Sequence, residues 1–128
     1  MSDEGALIEV ADIIRASARR ATDLVFRYGG EEFCVVSSGI SAAAAAAIAE
    51  SIAHAVRDRR IPHVSGERGL LTVSVGVAHL QMVEGDDTEA LLRRADNALY
   101  RAKTRGRDRV EIDESGVRDP VVLLTASP

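Results

Sequence analysis

The sequence predicts an α+β domain in which helices pack on a mainly antiparallel sheet. Three segments repeat apolar residues every three or four positions, which is typical of amphipathic helices. Two β-prone runs are separated by a glycine pair, and a further run alternates apolar residues with small or polar ones. The predicted order is helix, hairpin, helix, strand, helix and short strand, which indicates a layered sandwich.

The first part of the chain predicts a helix followed by a hairpin. Residues 4–20 form the helix, and its apolar stripe consists of Leu7, Val10, Ile14 and Ala18. The hairpin strands are residues 23–26 and 33–36. Gly29 and Gly30 lie between these strands, and two glycines tolerate the positive φ angles of a tight turn.

A second helix and a third strand follow the hairpin. Ser41 is the N-cap of a helix over residues 41–57, because its hydroxyl can accept a hydrogen bond from the first turn. Residues 58–69 are polar, contain Pro and Gly, and predict a loop. Residues 71–77 alternate between apolar and small or polar side chains, which predicts a half-buried strand.

The last part of the chain predicts a helix and two short apolar runs. Asp87 or Thr88 caps the third helix, and Gly106 stands where a C-cap glycine belongs. Val110–Ile112 is a candidate short strand. Val121–Leu124 is a further apolar run without an assigned place.

The composition indicates a single domain with an aliphatic core. The chain has 128 residues, of which 46% are hydrophobic but only 3% aromatic, so Ala, Val, Leu and Ile must fill the core. The net charge of −4 argues against a DNA or RNA surface built on bulk positive charge. The single cysteine, Cys34, excludes a disulfide framework and fits a reducing compartment.

The sequence contains no predicted membrane segment. No apolar run approaches the ~20 residues that span a bilayer, and no signal peptide is evident. We therefore expect a soluble, cytoplasmic domain. A tether to a membrane or to a sensor domain in a longer parent protein is compatible with this expectation.

The residues on the hairpin turn suggest a ligand site. Gly29 and Gly30 carry no side chains, so a bulky group can approach their backbone, and Glu31 and Glu32 follow directly. Adjacent carboxylates are suited to a hard cation. The turn therefore predicts a site for phosphate with magnesium. The alternative is an acidic hairpin tip that only keeps the protein in solution.

Four motifs in order resemble the GGDEF family of diguanylate cyclases. The turn, Gly29-Gly30-Glu31-Glu32-Phe33, is a common variant of the family signature, and Arg20-Ala21-Thr22-Asp23 is similar to its RxxD motif. Leu71–Val77 resembles the strand after the family's second long helix. Arg94–Lys103, followed by Gly106-Arg107, resembles the family's C-terminal stretch. The resemblance covers roughly residues 5–112. We assign residues 1–112 to this domain and residues 113–128 to a C-terminal tail.

The resemblance implies a transferase of bacterial second-messenger signalling. The family joins two GTP molecules into cyclic di-GMP and releases two pyrophosphates, with two chains facing each other as a homodimer. The implied cofactor is Mg²⁺ or Mn²⁺, and cyclic di-GMP is both product and inhibitor. A metal held by carboxylates can neutralise the phosphates and make the attacking 3′-hydroxyl a better nucleophile.

The resemblance also implies roles for individual residues. Glu31 is a metal ligand, and Glu32 is a second metal-side carboxylate or the catalytic base. Four positions are implied to bind the substrate, namely Gly29, Gly30, Lys103 and Arg107. The two glycines leave room for the nucleotide, and the two basic side chains hold its β- and γ-phosphates.

The RxxD motif implies an inhibitory site for cyclic di-GMP at Arg20 and Asp23. Arginine can grip a guanine edge or a phosphate with its planar fork, and Asp23 can accept a hydrogen bond from a guanine amine. The alternative is that both residues only end the first helix and begin the strand. The family often adds an arginine from the next helix, and Ser51 stands near that position here. We therefore do not expect tight product inhibition.

One part of the family pattern is absent from the sequence. Family members begin with an apolar strand in the middle of the sheet, which ends in a metal-binding aspartate. An Asn and a Gly-Asp further on help to read guanine, and Asp3 or Glu4 is the remnant of that Gly-Asp. We therefore expect an N-terminally truncated domain. Three explanations stay open: a truncated or mis-started frame, exchange between two chains, or occupation of the vacant place by Val121–Leu124. The last is our working hypothesis, because this run has no other assigned place.

The expected function is therefore that of a diguanylate cyclase domain with little or no turnover in this chain. Two carboxylates without their third partner should bind magnesium and GTP weakly. The alternative is a non-catalytic cyclic di-GMP receptor or regulatory module that binds through Arg20 and Asp23. A further alternative is a dimerising scaffold with decayed sites.

The remaining conspicuous residues are expected to be structural. Cys34 is predicted to be a small core residue. Tyr100 is predicted to pack against the domain rather than stack on a base. Three histidines lack the spacing of metal ligands and are predicted to lie on the surface, namely His54, His63 and His79.

Overall fold

The computed structural model describes residues 3–19, 23–28, 30–37, 39–63, 69–79, 87–113 and 122–128. Its elements in chain order are α1 (Asp3–Ser17), β1 (Leu24–Tyr28), β2 (Glu32–Ser37), α2 (Ala42–Arg59), β3 (Ser74–His79), α3 (Thr88–Thr104), β4 (Val110–Ile112) and β5 (Val122–Ser127). The predicted α+β class and the predicted order of elements up to β4 are confirmed. None of the helices within these ranges is both long enough and apolar enough to cross a membrane.

The strands form one sheet in the order β1-β2-β5-β3-β4. β1 and β2 are the predicted antiparallel hairpin, with Tyr28 opposite Glu32. β5 lies between β2 and β3 and is antiparallel to both. β3 and β4 are parallel. The hypothesis that the C-terminal apolar run occupies the middle of the sheet is therefore confirmed.

Helices cover both faces of the sheet. α1 and α2 share one aliphatic cluster with one sheet face, and the fully buried members of this cluster are Val10, Ile14, Ala45, Ala49, Val56, Val73, Val75 and Val77. α3 packs on the other face, where Leu91 and Ala95 meet Cys34 and Ala78. Cys34 is 1% exposed, which confirms its predicted place in the core. Burial of this aliphatic surface on two faces is the main favourable term for folding.

The predicted helix caps are present. The Ser41 side chain accepts a hydrogen bond from the Ala44 nitrogen at 3.0 Å, and the Asp87 side chain accepts one from the Ala90 nitrogen at 2.8 Å. At the end of α3, Gly106 has a φ of 123°, and the Arg107 nitrogen donates to the Ala102 carbonyl. This six-residue closure is the Schellman arrangement, which needs a positive φ at the glycine position.

β3 differs from the predicted half-buried strand. It begins at Ser74 and extends to His79, and all six of its residues are buried. It has a strand on each side, α3 on one face and aliphatic side chains of the α1 and α2 cluster on the other. The prediction that His79 lies on the surface was wrong, because His79 is the last residue of this enclosed strand and is 4% exposed.

Other boundaries and exposures also differ from prediction. α1 ends at Ser17, and α2 continues to Arg59. Tyr100 is 69% exposed, so the prediction that it packs against the domain was wrong. Its neighbours Ala98 and Leu99 face the sheet, and one further step around the helix turns Tyr100 outward. His54 lies on the surface as predicted, and His63 is half-buried.

Candidate functional site

The hairpin tip is open to solvent. Gly30 and Glu31 are exposed between β1 and β2, and Glu32 begins β2 half-buried. A Cβ built on Gly30 would meet no heavy atom within 4 Å. Gly29 lies outside the described residues. The turn therefore presents a bare backbone next to two carboxylates, as the sequence predicted for Gly30, Glu31 and Glu32.

Arg27 holds this turn against the first helix. Its Nε donates to the Gly30 carbonyl at 2.9 Å, and its Nη1 pairs with Glu4 Oε1 of α1 at 2.9 Å. The second guanidinium nitrogen, Nη2, also donates to the Gly30 carbonyl. A planar guanidinium can serve both partners at once because its donors form a rigid fork. Arg27 therefore fixes the backbone at Gly30.

A cavity of about 490 Å³ opens beside the turn. Its lining residues are Leu7, Gly30, Glu31, Glu32, Lys103 and Ser127. Four of these were predicted from the sequence as site residues, although Lys103 is far from the turn along the chain. The packing of α3 on the sheet brings its last turn to the same cavity as the start of β2.

Lys103 reaches the cavity from the C-terminal end of α3. It is the only lysine of the chain and is half-buried. Its Nζ donates a hydrogen bond to Ser127 Oγ of β5 at 2.9 Å. A primary ammonium has three donors, so a second acceptor in the cavity can still be bound.

Arg107 is not among the residues that line the cavity. It follows Gly106 with a φ of 62°, and its Nη1 donates to the Pro128 carbonyl at 3.0 Å. Pro128 directly follows Ser127, so Arg107 and Lys103 hold consecutive residues at the end of β5. The structure therefore brings Lys103 to the cavity that Glu31 and Glu32 line, and it leaves Arg107 at the end of β5 beside Pro128.

Two carboxylates suit a magnesium ion in part. Magnesium in nucleotide sites is bound through one or two carboxylates together with phosphates and water. Glu31 and Glu32 supply that number at one cavity. Among the described residues, no group of three or more His, Cys, Asp or Glu side chains is placed to hold a metal ion. The end of β5 contributes the Ser127 hydroxyl to this cavity and no carboxylate.

The proposed inhibitory site is only partly described. Arg20 lies outside the described residues. Asp23 is half-buried directly before β1, and Ser51 is exposed on α2. The role of Arg20 and Asp23 in binding cyclic di-GMP therefore stays a prediction.

Sequence reasoning missed three residues near the candidate site. Arg27, Leu7 and Ser127 contact the turn or line the cavity, and none was assigned to it. For Ser127 a signal was available, because it lies three residues beyond Val121–Leu124, the run that was predicted to enter the sheet. For Arg27 and Leu7 the local pattern indicated only a strand and a helix stripe.

Comparison with known proteins identifies the family to which this fold and this turn belong. The chain has an α+β fold with an acidic hairpin turn at an open cavity. The family model "Diguanylate cyclase, GGDEF domain" matches residues 2–109. The chain belongs to the GGDEF family.

Individual relatives agree with this assignment. Diguanylate cyclase A of Treponema denticola is 39% identical over 111 residues, which is 87% of this chain and 29% of that protein. Response regulator PleD of Caulobacter vibrioides is 45% identical over 96 residues, which is 74% of this chain and 21% of that protein. The chain thus spans less than a third of either relative.

A solved structure shares the fold. The GGDEF domain of DgcB from Caulobacter crescentus, crystallised in complex with cyclic di-GMP, is 33% identical and has a TM-score of 0.75. The match covers 88% of this chain and 65% of that one.

Proposed function

We propose that this chain is a diguanylate cyclase domain that binds GTP with Mg²⁺ or Mn²⁺ at the cavity beside the hairpin turn. The observation that carries this proposal is the meeting of Glu31, Glu32 and Lys103 at one open cavity. Carboxylates and an ammonium at the same place suit a ligand that is itself a metal–triphosphate pair. A GTP-consuming domain acts in the cytoplasm, alone or attached to sensor or membrane domains.

The residues divide the work of binding as follows. Gly30 leaves room for the nucleotide, since nothing lies where its Cβ would be. Glu31 and Glu32 would hold the metal, which supplies charge neutralisation for the phosphates. The Lys103 ammonium donates hydrogen bonds to the β- and γ-phosphates. Arg107 can add a second contact once its side chain leaves the Pro128 carbonyl.

In the proposed reaction the 3′-hydroxyl oxygen of one GTP attacks the α-phosphorus of another. This attack takes place twice, once from each GTP on the other, so two phosphodiester bonds form, two bonds to pyrophosphate break, and each 3′-hydroxyl loses its proton. Glu32 either acts as a second metal-side carboxylate or accepts the hydroxyl proton. Each chain offers one such cavity, so two chains must face each other to bring two GTP molecules together.

Turnover by this chain is proposed to be weak. The cavity offers two carboxylates and a neutral hydroxyl, so the cation is held by less negative charge than a three-carboxylate site would supply. Incubation with GTP and Mg²⁺, followed by chromatography of the products, measures this directly. Robust formation of cyclic di-GMP would contradict weak turnover.

Binding is tested separately by calorimetry with GTP in the presence of Mg²⁺. Glu31→Gln, which keeps the shape but removes the charge, should weaken binding about tenfold or more. Glu50→Gln is the matched control, because Glu50 is exposed on α2 and does not line the cavity. Equal affinities for Glu31→Gln and Glu50→Gln would exclude the proposed metal site.

A second candidate function is that of a cyclic di-GMP receptor acting through Arg20 and Asp23. It is favoured by the complex of the DgcB domain with cyclic di-GMP. Calorimetry with cyclic di-GMP on Arg20→Ala and Glu31→Gln separates the two functions. Binding that needs Arg20 but not Glu31 supports the receptor.

A further inference from the structure

The end of the central strand enters the candidate site. Ser127 is 1% exposed, lines the cavity with Glu31 and Glu32, and accepts a hydrogen bond from Lys103 Nζ at 2.9 Å. Among the described residues, the Lys103 ammonium makes one hydrogen bond, and Ser127 is its acceptor. The position of the Lys103 ammonium therefore depends on where β5 places Ser127.

A neutral hydroxyl can hold the Lys103 ammonium in place without neutralising its positive charge. It accepts one of the three ammonium donors and leaves the positive charge available to a phosphate. A carboxylate at the same place would form an ion pair and reduce the attraction for the anion. A free lysine side chain loses much rotamer freedom when it is fixed, so a lysine that is already held binds an anion with less entropy loss.

We propose that Ser127 is a positioning residue for the nucleotide site. It holds Lys103 on the wall of the cavity that Glu31 and Glu32 also line. The inference rests on the proposed function, since it takes the phosphates of GTP as the ligand. It adds that the C-terminal strand, and not only the hairpin and α3, takes part in binding.

The single lysine makes the contact directly measurable. The chain is acylated with N-hydroxysuccinimidyl acetate without nucleotide, and the peptide that contains Lys103 is quantified by mass spectrometry apart from the N-terminal amine. Ser127→Thr and Ser127→Val form a matched pair, since they share a shape and differ in the hydroxyl. We expect labelling of Lys103 to be several-fold faster in Ser127→Val than in Ser127→Thr or the unchanged chain.

Two controls separate a lost contact from a loosened fold. Ser74→Ala removes a buried hydroxyl directly opposite Ser127 in the sheet, without a contact to Lys103, and should label at the unchanged rate. The buried thiol of Cys34 should stay unreactive in every variant while the core is intact. Equal labelling rates for Ser127→Thr and Ser127→Val, with Cys34 protected, would overturn the proposal.

Affinity for GTP gives the second readout. With Mg²⁺ present, Ser127→Val should bind GTP about three- to tenfold more weakly than Ser127→Thr. Tighter binding by Ser127→Val would mean that the hydroxyl competes with phosphate, which overturns the positioning role. If no variant binds GTP while the labelling difference is present, the proposed function fails and the Ser127–Lys103 contact is supported.

Discussion

Gly76 of β3 lies directly against the backbone of α3 beside Leu99. A Cβ built on Gly76 would overlap the Leu99 nitrogen and the Ala95 carbonyl oxygen. Both atoms belong to the helix backbone, so neither can turn aside as a flexible side chain could. The close approach of β3 and α3 therefore depends on the absence of a side chain at this position, and α3 carries Lys103 to the cavity.

Gly76→Ala is expected to destabilise the domain by about 1–3 kcal/mol or more, because the helix must move away from the sheet. Chemical denaturation with both far-ultraviolet circular dichroism and Cys34 reactivity would measure the loss. GTP binding should fall with it, since α3 positions Lys103. An unchanged denaturation midpoint would show that α3 is not packed as closely as the structure has it.

Gly30→Ala is the same substitution at an open position. It should leave the stability of the domain nearly unchanged and lower its affinity for GTP. Nothing lies within 4 Å of the added Cβ, so the free energy of unfolding should change by less than about 0.5 kcal/mol. Affinity for GTP should fall, because the methyl group enters the space proposed for the nucleotide. Calorimetry and denaturation on the same sample test both statements. Unchanged affinity would remove Gly30 from the proposed site.

Removal of residues 122–128 should abolish cooperative folding. β5 pairs with β2 and β3 on its two sides, so its loss leaves two rows of backbone groups without partners. Each such group costs on the order of 1–3 kcal/mol if it stays buried. Removal of Pro128 alone is the control, since it keeps β5 and removes the hydrogen bond that Pro128 accepts from Arg107. A thermal unfolding curve that survives the longer deletion would contradict the central place of β5.

Arg27→Ala should weaken GTP binding more than it weakens the fold. The side chain is 40% exposed, so its pair with Glu4 adds little stability, whereas its bonds to the Gly30 carbonyl hold the turn. Glu4→Gln is the control, because it removes the ion pair but leaves the bonds to Gly30. We expect calorimetry to show a loss of affinity for Arg27→Ala and near-normal affinity for Glu4→Gln. An equal loss of GTP affinity in Arg27→Ala and Glu4→Gln would mean that the contact with α1, and not the bonds to the turn, causes the effect.

The ion pair between Arg57 and Asp108 should contribute a small, pH-independent stability. Arg57 Nε and Nη2 each lie 3.0 Å from an Asp108 oxygen, and this hydrogen bonding raises the pKa of Arg57 above its ordinary value. A raised folded-state pKa stabilises the protein below the ordinary arginine pKa, and this stability is lost only as pH rises through the higher value. Between about pH 6 and pH 9 the contribution of Arg57 should therefore be constant.

A double-mutant cycle with Arg57→Ala and Asp108→Asn measures that pair. The side chains are 49% and 31% exposed, so the coupling energy should be below about 1 kcal/mol and should shrink in high salt. A coupling that rises or falls between about pH 6 and pH 9 would mean that another titrating group takes part.

Much of the secondary structure could be predicted because its signals are local. Three of these signals depend on neighbours within a few residues. They are the apolar stripe through Val10 and Ile14, the N-cap at Ser41, and the glycine after the end of α3, Gly106. The same holds for the turn that exposes Gly30 and Glu31. Such patterns are readable without knowing what packs where.

Burial and partner choice could not be read in the same way. Alternation over residues 71–77 predicted an exposed face at Ser74, and His79 was predicted to lie on the surface. Both residues are buried, because β3 is enclosed on both faces and both sides. Tyr100 looked like a packing residue, but its neighbours on α3 take the buried face. In each case the outcome depends on elements that are distant along the chain.

The sequence by itself determined the family, the hairpin with its two carboxylates and the positions of the three helices, because these depend on short-range periodicity and on side chains that stand next to each other. The sequence offered a central place for the C-terminal run as one of three explanations. The tertiary structure decided among them, placed the strand between β2 and β3, and brought Ser127 to Lys103. Strand pairing joins backbone groups that are far apart along the chain, and no local pattern specifies which edge an apolar run will satisfy.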